Sequence, residues 1–395
     1  MEFIFWTTLI ITFYTYVGYP LILVIISGFV KEEQIEDPVE WPNVSIILSS
    51  YNEENNLKKK IDNLLALDYP KEKVNILIGS DGSTDRTNNI LKECQGFNIT
   101  YLVSKERQGK PRIITQLVSK AKGEILFFVD TRQQIEKDAL KNIVRNFNDS
   151  NVGCVSGELV LKKERASSMS KGVDISWKDE QCIRSCESKL YSMIGATGAI
   201  YAVRRELFVS PSENILLDDV FIPLKVVERG HRAIFEGSAH AYDEAAETSR
   251  EEFTRKVRTI AGNFQLFFLC KNMLNPFKSK IAIQFISHKL LRAISFVFLG
   301  ILYFSNSTLL YSTQYKIIFI DCNIRLLSFN VVFIFYFFAL IGWVAEKNNI
   351  QVKAVSVPYA FCVLNFASLK GFMNFVGGKA AVQWEKARQT EDKRL

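Results

Sequence analysis

The chain has 395 residues, a formal net charge of +7 and a hydrophobic fraction of 48%, with 30 Phe and 14 Tyr against 23% charged residues. Apolar and charged residues are segregated along the chain, which excludes a uniformly soluble domain and argues for membrane segments around a polar one. The basic excess forms no stripe with interleaved aromatics, so nucleic acid is not the expected partner.

No charged residue occurs from Phe3 to Val30, a run longer than the roughly 20 apolar residues a spanning helix needs. Met1-Glu2 offers no basic n-region, and the run exceeds a signal peptide's apolar core, so residues 1–30 are expected to be a membrane anchor. From Lys31 to about Lys280 the composition is that of a soluble α/β protein, with the domain itself expected over 31–250. Val44–Ser50 is rich in β-branched residues and reads as a buried strand. A helix is expected over Asn56–Leu67, a second strand over Val74–Gly79, and a helix from about Arg86 to Cys94. A third strand, Ile99–Val103, leads into a polar loop with Gly109-Lys110 and a helix ending near Lys122. The fourth strand, Ile125–Val129, ends on Asp130. Strands alternating with helices imply a mostly parallel sheet, with ligands at the carboxyl ends of its strands. Asn52/Glu53, Asp81/Asp85 and Asp130 stand at three such ends, which points to a binding site.

Beyond the domain, residues 251–292 carry Arg255, Lys256, Arg258, Lys271, Lys278, Lys280, Lys289 and Arg292. Within them, Glu251 to Phe277 is expected to form an amphipathic interface region. Three apolar blocks follow within residues 293–378: Ala293–Tyr315, Leu326–Ala345 and Ala354–Gly378. The basic cluster places the polar domain on the cytoplasmic side. Four full spans would put the basic tail, 379–395, outside, and Lys370 lies inside the last block; both count against four simple spans. Three or four spans are expected. Seven cysteines are scattered; Cys182 and Cys186 have the spacing of neighbours on one helix face, without the companions of a zinc site. His231, His240 and His288 have no metal-triad spacing and are assigned packing or surface roles.

Ser45–Glu54, Ser80–Thr87, the strand ending at Asp130, Gly157-Glu158-Leu159, Thr197–Leu207 and Leu217-Asp218-Asp219 together resemble membrane-bound family-2 inverting glycosyltransferases. The resemblance extends to the group of hyaluronan, cellulose, chitin-oligosaccharide and poly-N-acetylglucosamine synthases. It covers roughly Pro42 to Gln265 and implies an α/β GT-A nucleotide-diphospho-sugar transferase domain inserted between transmembrane helices. The implied activity is transfer with inversion from a nucleotide sugar, a UDP-sugar in the first instance, to a growing poly- or oligosaccharide. The implied setting is the plasma (inner) membrane.

The resemblance also implies roles residue by residue. Tyr51, Glu53 and Asp81 would line the nucleoside, Lys110 would meet the donor near its phosphates, and Asp130 would hold a metal. Mg or Mn is the implied cofactor, but Arg132 stands where the family has a second carboxylate, so one carboxylate and the diphosphate would have to suffice. Asp219 would be the catalytic base with Asp218 its neighbour, and Gly195, Thr197 and Gly198 would lie near the acceptor. Inverting displacement needs a base for the acceptor hydroxyl and positive charge for the departing diphosphate. Arg258 would contact that diphosphate, a role suited to a guanidinium. The family's Gln-x-x-Arg-Trp appears here as Arg255-Lys-Val-Arg258-Thr259, followed by Gly262 and Gln265. The missing tryptophan would stack on an acceptor sugar, and its loss weakens the case for long processive products. Two alternatives follow: transfer of one sugar to a polyprenyl-phosphate or other lipid acceptor, or an inactive homologue acting as a scaffold.

Overall fold

The computed structural model describes residues 1–31, 35–94, 98–162, 168–244, 249–312, 319–348, 350 and 352–378. An eight-stranded mixed sheet forms its centre. In chain order the strands are β1 (Val44–Ser50), β2 (Val74–Ser80), β3 (Ile99–Val103), β4 (Ile125–Val129), β5 (Gln134–Ile135), β6 (Val152–Lys162), β7 (Ile200–Arg204) and β8 (Arg232–Glu244). Their spatial order is β3-β2-β1-β4-β7-β6-β8-β5.

The first four strands are parallel to one another, with Val44 opposite both Val74 and Ile125. Beyond them the sheet becomes mixed: β7 is antiparallel to β4 and β6, whereas β6 and β8 run parallel. β1 and β4 are buried almost throughout, as strands covered on both faces must be. Alternate residues divide between two cores. Ile46, Leu48, Ile78, Phe127 and Val129 pack beneath the helices α2 (Leu57–Leu65) and α5 (Ala139–Val144). Ile47, Leu77, Leu126, Phe128 and Tyr201 face α4 (Lys110–Val118), α7 (Asp218–Glu228) and α8 (Ser249–Leu269). The remaining helices of the domain are α3 (Thr87–Glu93) and α6 (Ser168–Leu190).

Because β1, β2 and β4 are parallel and in register, Ser50, Ser80 and Val129 finish at one edge. β7 runs the other way, Ile200 lying opposite Val129, so the segment entering it reaches the same edge. That convergence positions the candidate site.

The N-terminal helix α1 (Glu2–Ser27) is apolar and leaves Ile10, Phe13, Leu21 and Ile25 exposed. After α8 come α9 (Ala282–Ala293), α10 (Ser295–Ser312), α11 (Phe319–Lys347) and α12 (Ser356–Val376). Among the described residues three helical stretches are long and apolar enough to cross a membrane: α1, Asn330–Lys347 within α11, and α12. A fourth arises if the pair α9–α10, bent by 62°, counts as one span. The bend lies ahead of the last apolar block, the one whose Lys370 counted against a simple span. Lys370 is exposed on α12, while the basic tail 379–395 lies outside the described residues.

A buried polar cluster ties the N-terminal helix to the domain. Tyr19 of α1 donates to Glu187 of α6 at 2.7 Å, and His288 of α9 sits between Glu187 and Glu180 at 3.0 and 2.8 Å. Lys289 adds an ion pair to Glu180 at 2.8 Å. Burying these charges is tolerable only because they meet one another. His288 therefore has the packing role expected of it.

Candidate active site

One side of the edge is two loops stitched together. Asn52 has a left-handed backbone, φ 50°; its N–H donates to Ser83 Oγ at 3.1 Å and its Oδ1 accepts from the Thr84 N–H at 2.8 Å. Asparagine tolerates that conformation and often bonds backbone locally. Glu53 is buried, accepts from Asn56 Nδ2 at 2.7 Å, and donates its own N–H to Thr87 Oγ1 at 2.8 Å. The Arg107 guanidinium lies 4.0 Å from the centre of the Tyr51 ring.

Asp81 has a second use that its position in the sequence does not reveal. Its Oδ1 accepts from the Gln108 N–H at 2.6 Å and its Oδ2 from the Gly109 N–H at 3.0 Å. The carboxylate thus fixes the loop that delivers Lys110, while each oxygen retains acceptor capacity for a ligand. Gly82 allows this approach: with φ +63°, a Cβ there would come within 2.6 Å of Arg107 N. Gly109, at φ +93°, ends the loop, and Lys110-Pro111 opens α4, where proline suits the first turn.

Lys110 is the meeting point of the site. Its Nζ lies 2.8 Å from Asp130 Oδ1 and 3.7 Å from Asp218 Oδ2. Burial works against its charge, but Asp130, Asp218 and Asp219 together hold its pKa above the ordinary lysine value. Asp218 and Asp219 form the first turn of α7, where acidic side chains face the positive helix end. Asp218 is buried, and its Oδ2 and the Tyr201 Oη have no hydrogen-bond partner among the described residues. Asp219 Oδ2 accepts from the Gly198 N–H at 3.1 Å. Burial, and then the neighbouring Asp218, push its pKa up to about 6, with Lys110 opposing them.

The three glycine-loop residues separate in role. A Cβ on Gly198 would stand 3.2 Å from Asp219 Oδ2 and 3.5 Å from Asp130 Oδ2, so its bare side opens onto both carboxylates. Gly195 faces Val220, which a Cβ would meet at 3.0 Å, and Thr197 is buried with its N–H on Ser156 Oγ at 3.0 Å. Gly195 and Thr197 thus shape the loop. Arg258, on α8, donates Nη2 to Leu216 O at 3.1 Å, two residues before Asp218. Arg132 is exposed.

Asp130, Asp218 and Asp219 offer the hard oxygen donors that Mg²⁺ or Mn²⁺ prefer. Among the described residues no group of three or more His, Cys, Asp or Glu is arranged to hold a metal ion by itself. The fit is therefore to a cation shared between one or two carboxylates and a bound diphosphate. His240 instead pairs with Glu136 at 2.5 Å.

One residue of the site was not singled out by motif, and a second, Gln265, was named there without a role. Lys60, on α2, is 2% exposed and donates Nζ to Gln133 O at 2.8 Å, beneath the turn that follows Asp130. The signal was available: Leu57, Lys60, Ile61 and Leu64 share one helix face by 3.6 periodicity. Gln265 grips the segment ahead of Asp218 and is considered below.

Residues 45–208 match the family described as Glycosyl transferase family 2. Over 250 residues the chain is 24% identical to a poly-beta-1,6-N-acetyl-D-glucosamine synthase of Staphylococcus aureus, covering 61% of this chain and 59% of that one. It is 22% identical to the probable glycosyltransferase YdaM of Bacillus subtilis over 238 residues, 58% of this chain and 57% of that one. The match thus spans less than two thirds of these relatives' length. Among solved structures, the mannosyltransferase PcManGT from Pyrobaculum calidifontis, in complex with GDP-Man and Mn²⁺, superposes with a TM-score of 0.70 at 20% identity. That superposition covers 95% of this chain and 99% of the other. Residues 45–208 are thus similar to glycosyl transferase family 2, in a domain with the GT-A fold that is flanked by apolar helices.

Proposed function

We propose that the protein is an inverting glycosyltransferase that moves a hexosyl or N-acetylhexosaminyl unit from a nucleoside-diphosphate sugar, UDP-sugars first among candidates, to a growing poly- or oligosaccharide. The observation that carries this reading is the meeting of Asp130, Asp218, Asp219 and Lys110 at one sheet edge. Asp219, with its pKa lifted to about 6, is ionised at neutral pH yet basic enough to take a proton. It removes the acceptor hydroxyl's proton as that oxygen attacks the anomeric carbon from the face opposite the diphosphate. The bond from anomeric carbon to phosphate oxygen breaks, and the nucleoside diphosphate leaves with the electron pair. A divalent cation, Mg²⁺ or Mn²⁺, held by Asp130 and the diphosphate, would supply part of the positive charge this departure needs. Lys110 and Arg258 supply the rest, and Tyr51, Glu53 and Asp81 hold the nucleoside. The acceptor enters past Gly198, over the loop that Gly195 and Thr197 shape.

The proposed layout is an anchor over 1–30, the catalytic domain over 31–250, an interface region over 251–292, membrane segments over 293–378 and a tail over 379–395. The domain faces the cytoplasm, where nucleotide sugars are made, with the apolar helices in the plasma (inner) membrane.

A second reading, transfer of one sugar to a polyprenyl-phosphate or similar lipid acceptor, draws on an apolar cleft of about 560 Å³ between α10, α11 and α12, lined by Phe296, Tyr303, Phe333, Phe361 and Phe366. An isoprenoid chain would suit such a lining. Stereochemistry and product size test both readings. Product from an α-linked donor should be β-linked by proton NMR coupling; an α-linked product would rule out a single displacement. A product that stays in the organic phase at one sugar per lipid would favour the second acceptor.

A further inference from the structure

α8 grips the four residues that precede the acidic pair at three points. Gln265 Oε1 accepts from the Leu216 N–H at 3.1 Å, and Gln265 Nε2 donates to Asn214 O at 2.7 Å. Arg258 Nη2 donates to Leu216 O at 3.1 Å. Between them Gly262 lets the helix backbone lie directly on this segment: a Cβ there would sit 2.5 Å from Leu217 Cγ. Both backbone groups of Leu216 are therefore held by α8 side chains, and α7 starts two residues later with Asp218 and Asp219. Asn214–Leu217 is irregular and, among the described residues, has no strand partner. Its apolar side chains are buried in the core, the Ala196 N–H bonds Asp219 O just after it at 2.9 Å, and its backbone is held by α8, itself braced from behind. A Cβ on Gly371 of α12 would meet Val257 O of α8 at 2.9 Å, and the Phe264 ring lies 5.1 Å from that of Phe372.

We infer that Gln265 is a positioning residue for the catalytic pair, setting the depth of Asp218 and Asp219 against Asp130 and Lys110 through the backbone of Asn214–Leu217. This rests on the reading of Asp219 as the base. Side-chain positions in such sites tolerate displacements well under an ångström before rate suffers. Losing two hydrogen bonds to backbone frees the segment to move by more than that.

The test uses the full-length protein in detergent or nanodiscs, with Gln265→Leu, Gln265→Glu, Gly262→Ala and, as a reference for the base, Asp219→Asn. Gln265→Glu keeps the acceptor for Leu216 and loses the donor to Asn214. Nucleotide binding is measured by calorimetry with UDP or GDP, and turnover is measured against pH. Gln265→Leu and Gly262→Ala should each lower kcat about 10-fold or more while nucleotide affinity stays within about twofold. The acid midpoint of the rate should move in both, with Gln265→Glu intermediate. A purely structural role would lower the fraction of protein that binds nucleotide and leave kcat per bound site and the midpoint unchanged; that result would overturn the inference. If Asp219→Asn keeps its turnover, the reading of the base has failed. If Asp219→Asn is inactive and the Gln265 variants are normal, the positioning role alone has failed.

Discussion

The pKa of Asp219 makes the rate a readout of its neighbours' charges. With a value of about 6, about a tenth of the groups are ionised at pH 5 and about nine-tenths at pH 7, so kcat/KM should fall roughly tenfold across that span. Two substitutions should move the midpoint in opposite directions. Asp218→Asn removes the like charge that helps raise Asp219, and the limb should shift to lower pH by on the order of one unit, about 1.4 kcal/mol. Lys110→Met removes the cation that opposes the rise, and the limb should shift to higher pH. Each variant is compared with its own plateau, so a lower kcat does not obscure the midpoint. The assay is nucleotide release at donor and acceptor concentrations well below KM, between pH 4.5 and 8.5 at constant ionic strength. Midpoints that fail to move, or that move in the same direction, would refute the electrostatic account of the site.

Three further outcomes are expected. Asp219→Asn should abolish turnover yet raise thermal stability at neutral pH. A carboxyl whose folded pKa exceeds its unfolded one costs stability once ionised, the cost growing between about pH 4 and 6; thermal melts at pH 7.5 against pH 4.5 would show the gain only at the higher pH. Gly82→Ala should weaken nucleotide binding by an order of magnitude or more, because the 2.6 Å approach to Arg107 N pushes away the loop that delivers Lys110; calorimetric affinity equal to that of the unaltered protein would contradict it. Lys60, whose pKa burial pushes down to about 7 against the pull of Asp130 and Asp243, should make stability rise with pH from about 7 toward 10. In that window the unfolded chain binds the extra proton. Lys60→Met should flatten this rise in thermal melts and also slow turnover by loosening the turn after Asp130.

The parallel half of the sheet was legible because its strands are short, β-branched and buried on both faces. β1, β3 and β4 fall on Val44–Ser50, Ile99–Val103 and Ile125–Val129 as expected, and β2 runs one residue longer. The helices between them are shorter than expected: Leu57–Leu65 rather than Asn56–Leu67, and Lys110–Val118 rather than to Lys122. Both helices close early in turns, at Ala66-Leu67 and at Ser119-Lys120. The antiparallel half was not legible. β6 and β8 pair over long stretches with register shifts after Val152 and Ser156, and such irregularities blur the two-residue period that a strand assignment needs. The expected mostly parallel sheet is thus mixed, since β7 enters from the opposite direction.

Within the site, Asp130 was recognisable as a strand end, whereas the Asp218-Asp219 pair was picked out through the family resemblance, since acidic residues at a helix start are otherwise routine. Side chains that act through backbone, as Asp81 does on Gln108 and Gly109 or Gln265 on Leu216, leave no such mark, because their partners are chosen by tertiary packing. Arg132, the departure from the family's second metal carboxylate, is exposed, whereas Lys110 lies against the first. The positive charge closest to Asp130 thus comes from α4 rather than from the strand-end motif.

The most direct test of the central claim is nucleotide release by the purified full-length protein across a panel of UDP- and GDP-sugars, with Mg²⁺ or Mn²⁺ and both saccharide and lipid acceptors. Turnover of one donor that disappears in Asp219→Asn, with nucleotide binding retained, is the predicted result. Absence of turnover with every donor, metal and acceptor, or undiminished turnover in Asp219→Asn, would contradict the assignment of catalysis to this carboxylate edge.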